Sequence, residues 1–341
     1  MSLPIAPKRD LAGEQCMFVV GGESLIDLKA EVALSDGRLI GRDGEDQIVM
    51  TAHQGGSPYN CAIALAKLGN ETGFLCPISA DAFGDYLLGP LKAAGVTPLL
   101  PERMAEYTTL AVINFDSNHN ARYGFYRSAD GAIDATKAIA ALPEQLELYQ
   151  IGGFCPIKPD EAAQWLQIVR AAIAKGATIS MDPNVRPSLI DDFAGYKARL
   201  SDFLDLTHVV KMSEEDLDAL DSSKSIEQHA AELLGRPNCK LVVITLGDKG
   251  SRAFTAAGTA QAAIYAPPVF GDTVGAGDSL MAGILSWLDE RDLLKPGRLT
   301  ALDAAALADM LAFGAVVAGI NCGRKGCKPP TRAEVDAVMG A

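Results

Sequence analysis

Hydrophobic and polar positions alternate in blocks along this chain. Met17-Phe18-Val19-Val20 is a short apolar run that stops at Gly21-Gly22, the pattern of a buried strand ending in a glycine turn. From Leu28 to Met50 the chain becomes polar and glycine-punctuated, with alternating stretches such as Ala30 to Leu34, which predicts short antiparallel strands. A second region of this kind covers Thr108 to Phe115 and Ala121 to Tyr126, joined by the turn-forming Asp116-Ser117-Asn118-His119-Asn120. Together the two regions predict a small sheet outside the main core.

Elsewhere helix and strand signals take turns. Helices are predicted over Pro58 to Leu68, stopped by Gly69-Asn70, and over Asp85 to Ala94, stopped by Gly95, with a strand at Phe74 to Ile78 between them. Strands at Leu148 to Ile151, Ala177 to Met181, His208 to Met212 and Leu241 to Leu246 follow, with helices at Asp160 to Lys175 and Ser225 to Leu234. The last third reads as helix from Asp278 to Asp289 and from Ala301 to Ile320. Such alternation predicts a mainly parallel sheet with helices on both faces, in one large core carrying a small appendage.

Composition narrows the classes. The 341 residues are 48% apolar and 21% charged, enough to bury an extensive core, and no repeat period emerges. A net charge of −13 opposes binding to nucleic acid or to an anionic membrane. An anionic substrate would therefore need local donors. The seven cysteines are scattered and odd in number, which fits a reducing cytoplasm; Cys322 and Cys327 lack partners at zinc-site spacing, so no metal is assigned to them. Residues 1–15 hold Lys8 and Arg9 but no apolar run before a cleavage site, and no uninterrupted apolar segment reaches membrane-spanning length. No targeting or anchoring is expected.

The most specific stretch is Gly271-Asp272-Thr273-Val274-Gly275-Ala276-Gly277-Asp278, followed at once by the helical pattern Leu280, Met281, Ile284, Leu285 and Leu288. Small residues at a helix N-terminus let backbone N–H groups converge on an anion, and the helix dipole favours the same charge. Phosphate is the natural guest. A carboxylate at Asp278 would repel it unless it handles a proton or a metal, and a base role resolves the conflict. Standing alone, Asp278 would read as a helix cap. Competing fingerprints are absent: the chain has no Gly-x-Gly-x-x-Gly, no Walker loop, no Gly-x-Ser-x-Gly and no His-Glu-x-x-His, and its four histidines are unclustered.

Asp272-Thr273-Val274-Gly275-Ala276-Gly277-Asp278 matches the C-terminal signature D-T-x-G-A-G-D of PfkB-type carbohydrate kinases at every specified position. Gly55-Gly56-Ser57-Pro58-Tyr59-Asn60-Cys61-Ala62 resembles the family's N-terminal signature, in the expected order and separation. The resemblance implies a ribokinase-like three-layer α/β/α fold with a mostly parallel central sheet, a single domain over residues 1–341, and a small β lid near residues 28–50 and 108–126. It implies transfer of the γ-phosphoryl group of ATP, with Asp278 as base and Gly275, Ala276 and Gly277 at the transferring phosphate.

On the sugar side, Gly22-Glu23-Ser24-Leu25-Ile26-Asp27 resembles the opening Gly-Glu-x-x-x-Asp, whose aspartate holds hydroxyls. Gly55 and Gly56 admit a ligand close to the backbone, and Asn60 offers a donor and an acceptor. On the nucleotide side, Thr245-Leu246-Gly247-Asp248-Lys249-Gly250 resembles the loop Thr-Leu-Gly-x-x-Gly, which assigns Thr245, Gly247 and Gly250. Asn321 resembles a position near the adenine pocket, with a helix C-cap as the alternative. Lys211-Met212-Ser213-Glu214-Glu215-Asp216-Leu217 resembles the Asn-x-x-Glu element of the magnesium–phosphate region, with Ser213 in place of Asn and Asp216 in place of Glu. Asp216 is accordingly assigned to the metal through water, an N-cap being the alternative. The implied cofactors are ATP and Mg2+; a monovalent cation near Asp272 and the Cys322 to Cys327 loop, and a homodimer, are left open.

For the acceptor, Phe125-Tyr126-Arg127-Ser128-Ala129-Asp130 and Asp182-Pro183-Asn184-Val185-Arg186-Pro187 resemble the fructokinase branch, which implies a primary hydroxyl of fructose. The ketodeoxygluconate kinase branch shares part of this pattern, and Arg127 and Arg186 could pair with its substrate's carboxylate, whereas neutral fructose needs only hydroxyl partners such as Asp27, Asn60 and Arg127. The reading from another class is a non-catalytic sugar or nucleotide sensor on the same fold.

Overall fold

Strand β1 (Met17–Gly21) buries alternate side chains on opposite faces, Val20 into one apolar cluster and Val19 into another, and this period of two recurs across the central sheet. The computed structural model describes residues 17–35, 38–39, 49–115 and 121–340. The predicted turn at 116–120 and most of the stretch 36–48 lie outside the described residues.

After β1 come β2 (Leu25–Ser35), β3 (Arg38–Leu39), β4 (Met50–Gly55), α1 (Ser57–Lys67), β5 (Thr72–Leu75), β6 (Ile78–Ser79), α2 (Ala82–Ala94), β7 (Thr97–Pro98), β8 (Arg103–Met104), β9 (Leu110–Phe115) and β10 (Ala121–Tyr126). The middle of the chain forms α3 (Ala135–Ala140), β11 (Leu146–Gly152), α4 (Pro159–Ala174), β12 (Thr178–Asp182), α5 (Phe193–Leu206), β13 (Val209–Ser213), α6 (Glu214–Asp221), α7 (Ile226–Leu234) and β14 (Leu241–Thr245). The last part forms β15 (Ser251–Phe254), β16 (Thr259–Ala262), α8 (Ala276–Glu290), α9 (Pro296–Leu299), α10 (Ala304–Cys322) and α11 (Arg332–Met339).

The central sheet runs β16-β15-β14-β13-β12-β11-β1-β5-β7, parallel from β14 to β7 and antiparallel at β15 and β16. Leu148, Val209 and Val243 join the cluster under α1, α8 and α10, whereas Tyr149, Val210 and Val242 join the cluster under α4 and α5. Helices therefore cover both faces. The second sheet has the order β10-β9-β2-β3 with β4 paired to β2, built from the two polar regions singled out above. Within it β2 and β9 run parallel, not antiparallel, because the chain returns to β9 through a long crossover rather than a hairpin.

Several boundaries differ from expectation for local reasons. The strand expected at Phe74 to Ile78 breaks at Cys76-Pro77, where proline has no N–H for the ladder, and Ile78-Ser79 pairs with β8 instead. Helix α2 starts at Ala82 because the Asp81 side chain caps it, accepting from the Gly84 N–H at 2.8 Å, and α10 starts after the cap Asp303. Helix α10, interrupted by Asp309, is by length and composition apolar enough to cross a membrane, but 67% of its most apolar 18-residue window is buried inside the protein, packed on α8 and on β15 and β16.

The seam between α8 and α10 positions the whole site, because α8 carries Asp278 at its first turn. Gly283 and Gly314 let the two helices approach: a Cβ on Gly283 would meet the Gly314 Cα and a Val317 methyl, each at 3.0 Å. Gly283→Val is expected to lower stability by about 1–3 kcal/mol through overpacking. Urea unfolding followed by circular dichroism measures it, and an unchanged midpoint would show that the seam tolerates expansion.

Candidate active site

The carboxyl ends of β12, β13 and β14 face the N-terminus of α8 across a cavity of about 690 Å³. Ligands of open parallel sheets bind at this edge, where strand ends and helix N-termini point the same way. Asp182 ends β12, Lys211 and Ser213 lie in the second half of β13, and Thr245 ends β14. Ala315, Ala318 and Gly319 of α10 close one side with small side chains, and Tyr265, Pro267 and the exposed Phe270 add an apolar wall that the sequence reading did not assign.

Helix α8 has no side-chain cap. Its N-cap is Gly275, at a φ of 72°, and the Cys327 thiol occupies the space a Cβ there would need. Gly275, Ala276 and Gly277 all line the cavity, so the open end of the helix is directed at the ligand space. Asp278 follows in the first turn, 9% exposed. Its Oδ1 accepts a hydrogen bond from the Ser57 hydroxyl at 2.6 Å and its Oδ2 accepts from the Asn60 side-chain amide at 2.9 Å. Burial pushes the Asp278 carboxyl up to about 6, while these two hydrogen bonds and the Lys211 charge pull against that rise. It is thus an anion near neutral pH with its proton affinity increased.

Lys211 is buried, with its ammonium 2.5 Å from Asp182 Oδ2. Burial works against its charge, but the neighbouring Asp182, Asp216 and Asp278 outweigh burial and hold its pKa above the ordinary value. A Cβ on Gly277 would lie 3.0 Å from this ammonium, which places a fixed cation against the glycine loop. Asp182 Oδ1 is buried and has no hydrogen-bond partner among the described residues. Asp216 lines the same cavity, and its two oxygens accept from the Val185 N–H at 2.7 Å and the Ser213 N–H at 2.8 Å. The Ser213 hydroxyl reciprocates by accepting from the Asp216 N–H, so these residues form a capping box that fixes the start of α6.

Asp27 lies on β2, in the sheet over the cavity edge. Burial raises its carboxyl to about 6 and the charge of Arg186 partly offsets this; a side chain on Gly55 would collide with the Asp27 carboxylate. Gly56 has a φ of 107°, and a Cβ there would meet the Glu23 carbonyl oxygen at 2.6 Å. Arg186 lines the cavity and its charge reaches Asp27, while Asn60 bonds Asp278, which also lines it. Arg127 is held apart from them by its own partners. Its Nη2 donates to Asp130 at 2.6 Å and to Glu161 at 2.8 Å, and its guanidinium stacks on Phe154 at 4.9 Å.

Thr245, Gly247 and Gly250 also line the cavity. Gly247 and Gly250 have φ values of 59° and 91°, conformations that suit glycine. Asn321 is not brought into the cavity with them. It is fully buried, donating to the Val274 carbonyl at 2.8 Å and accepting from the Lys328 N–H at 2.7 Å, so it braces the glycine loop from behind. Asp272 does related work on the loop, accepting from the N–H groups of Val274 at 3.0 Å and Gly326 at 2.8 Å. Ser57, Asp182 and Lys211 sit inside the sequence motifs but take on a role only through the tertiary fold, which brings them around Asp278. Among the described residues no three His, Cys, Asp or Glu side chains converge as a metal cluster.

Comparison with known proteins agrees with this geometry. The model of the pfkB family carbohydrate kinases matches residues 17–334. A fructokinase of Rhizobium leguminosarum bv. trifolii is 32% identical over 292 residues, covering 85% of each chain. A probable fructokinase-4 of Arabidopsis thaliana is 28% identical over 333 residues, covering 96% of this chain and 98% of its own. The crystal structure of a fructokinase with bound ATP from Xylella fastidiosa superposes with a TM-score of 0.81 at 24% identity, over 95% of this chain and 98% of the other, which establishes the shared ribokinase-like three-layer α/β/α fold.

The chain belongs to the pfkB family of carbohydrate kinases. Its activity is ATP-dependent phosphorylation of a carbohydrate, so the sensor reading gives way to an enzyme.

The raised carboxyl of Asp278 makes a prediction with a definite sign. Above pH 6 the group is ionised and, as a base, could accept a proton; below it the group is protonated and could not. Accordingly kcat/KM for the sugar should fall about tenfold per pH unit on the acid side, starting near pH 6 rather than near the ordinary aspartate value. A profile flat down to pH 4.5 would contradict a base whose carboxyl is raised to about 6.

Proposed function

We propose that this enzyme is a fructokinase, transferring the γ-phosphoryl group of ATP to a primary hydroxyl of D-fructose. The observation that carries the catalytic reading is the Asp278 carboxylate, buried and held by two donors at the open N-terminus of α8, beside the glycine loop. In this reading Asp278 takes the proton of the attacking hydroxyl. The backbone N–H groups of Gly275, Ala276 and Gly277 and the Lys211 ammonium stabilise charge growing on the transferring phosphoryl oxygens. Asp27 and Asn60 hold sugar hydroxyls, and Thr245, Gly247 and Gly250 flank the nucleotide.

Mg2+ fits the donor set as part of the nucleotide complex. Asp182 Oδ1 and Asp216 are hard oxygen donors at the cavity, and through water they would hold an ion whose charge offsets that of the triphosphate. Without such an offset the acidic wall of Asp182, Asp216 and Asp278 would oppose ATP.

Charge also supports a neutral acceptor over a keto acid. Arg127 already serves two carboxylates, Asp130 and Glu161, and Arg186 interacts with Asp27 and Asp182. A substrate carboxylate would enter beside the acidic Asp27, Asp182, Asp216 and Asp278. The relatives named fructokinase support the same acceptor. The unpaired cysteines among the described residues, four of them fully buried, support a reducing cytoplasmic setting.

The test is kcat/KM with ATP and magnesium for fructose, 2-keto-3-deoxygluconate, ribose and adenosine side by side. Fructose is expected to lead by at least roughly tenfold, the discrimination expected when one acceptor satisfies the buried polar groups and another leaves them unpaired. A preference for the keto acid would overturn the acceptor while leaving the kinase intact.

A further inference from the structure

Asp278 is one end of a buried chain of hydrogen bonds that runs back to β1. Glu23 follows the glycine turn after β1 and is 3% exposed. Its Oε1 accepts from the Ser57 N–H at 3.1 Å and its Oε2 accepts from the Phe154 N–H at 2.9 Å, which ties the start of α1 to the loop after β11. Gly153, at a φ of 61°, leaves the space that the Glu23 carboxylate fills. Ser57 continues the chain, donating its hydroxyl to Asp278 Oδ1 at 2.6 Å.

Three features separate this serine from an ordinary helix residue. It is the first residue of α1, yet its hydroxyl makes no capping bond to its own helix, whose N-cap is Gly56. The hydroxyl instead spans 221 positions of sequence to reach a buried carboxylate. A hydroxyl has one proton, so once Ser57 donates it to an anion, the geometry of that bond directs the remaining lone pairs of Oδ1. Asn60 does the same for Oδ2 from one turn further along α1.

We propose that Ser57 is a positioning residue for phosphoryl transfer, its hydroxyl anchored by Glu23 through the Ser57 N–H so that it aims the Asp278 carboxylate and holds it as the anion. The proposal rests on Asp278 being the catalytic base. Around that carboxylate, Asp182 of β12 opposes ionisation and Lys211 of β13 favours it, while the buried Cys61 of α1 and the half-buried Cys327 of the loop after α10 are thiols within its field. Among the influences that favour the charged form, the Ser57 hydroxyl is the largest, ahead of Asn60 and Lys211.

The experiment is the pH profile of kcat/KM for the preferred sugar, recorded for wild type, Ser57→Ala, Ser57→Cys and Ser57→Thr. ATP titrates identically in all four, so only differences between the profiles count. Losing a hydrogen bond to a buried anion should move the acid limb of Ser57→Ala upward by roughly one pH unit, with the plateau rate about 10-fold lower from looser aim. The weaker donor in Ser57→Cys should give an intermediate limb, and Ser57→Thr, which keeps the hydroxyl, should return the limb to its wild-type position. An acid limb in Ser57→Ala coincident with wild type overturns the proposal, whatever happens to the plateau. Asp278→Asn in the same series separates the two levels: turnover within a few-fold of wild type would remove the base itself, whereas an inactive Asp278→Asn beside an unmoved Ser57→Ala limb removes only the role of Ser57.

Discussion

A carboxylate must remain charged inside the protein, a few ångströms from where a more highly charged phosphate chain arrives. Burial alone would neutralise it, since an isolated anion in a low-dielectric interior takes up a proton instead. Ser57, Asn60 and Lys211 hold Asp278 against that tendency, and most of the architecture around the cavity serves to bring those three together. Helix α1 supplies two of them from one turn, strand β13 supplies the third, and helix α8 presents Asp278 in its first turn. The balance is partial, and that suits the chemistry: a base wholly stabilised as the anion would be a poor proton acceptor at neutral pH.

Compensation of charge recurs one step out. The Lys211 ammonium meets Asp182, and Arg127 is locked between Asp130 and Glu161. Buried pairs of this type add little net stability relative to apolar packing, but removing one partner leaves an uncompensated charge at high cost. The Lys211–Asp182 pair therefore holds the neighbouring strands β12 and β13 in one arrangement at the cavity. The −13 net charge of the chain makes the local cations more important still, because the protein as a whole repels ATP.

Much of this could be read in the sequence, for physical reasons that differ by element. Helices with sharp punctuation, such as α1 before Gly69 and α4 before Gly176, carried their own stop signals. The glycine loop before Asp278 was readable because anion binding at a helix N-terminus requires small residues in succession. Helix α5 went unassigned even though Asp192 caps it and Tyr196, Leu200, Phe203 and Leu204 are buried at helical spacing; its polar intervening residues diluted the pattern. Strands β15 and β16 are only four residues each, too short for alternation to register. The contacts of Asp278 lay beyond reach for another reason. Lys211 and Asp182 meet because β12 and β13 are neighbours in the sheet, and Ser57 reaches Asp278 across 221 positions, relations that follow from strand order and helix packing rather than from local pattern. Asn321 shows the converse, a residue picked out by resemblance whose side chain is spent on bracing the loop.

The most direct test of the account is single-turnover phosphoryl transfer by Asp278→Asn, with sugar binding measured by calorimetry on the same sample. The amide preserves the shape of the carboxylate and removes its ability to accept a proton. The account predicts that sugar affinity is largely retained while the transfer rate falls by about 100- to 10,000-fold. Transfer within a few-fold of wild type, at unchanged affinity, would contradict it.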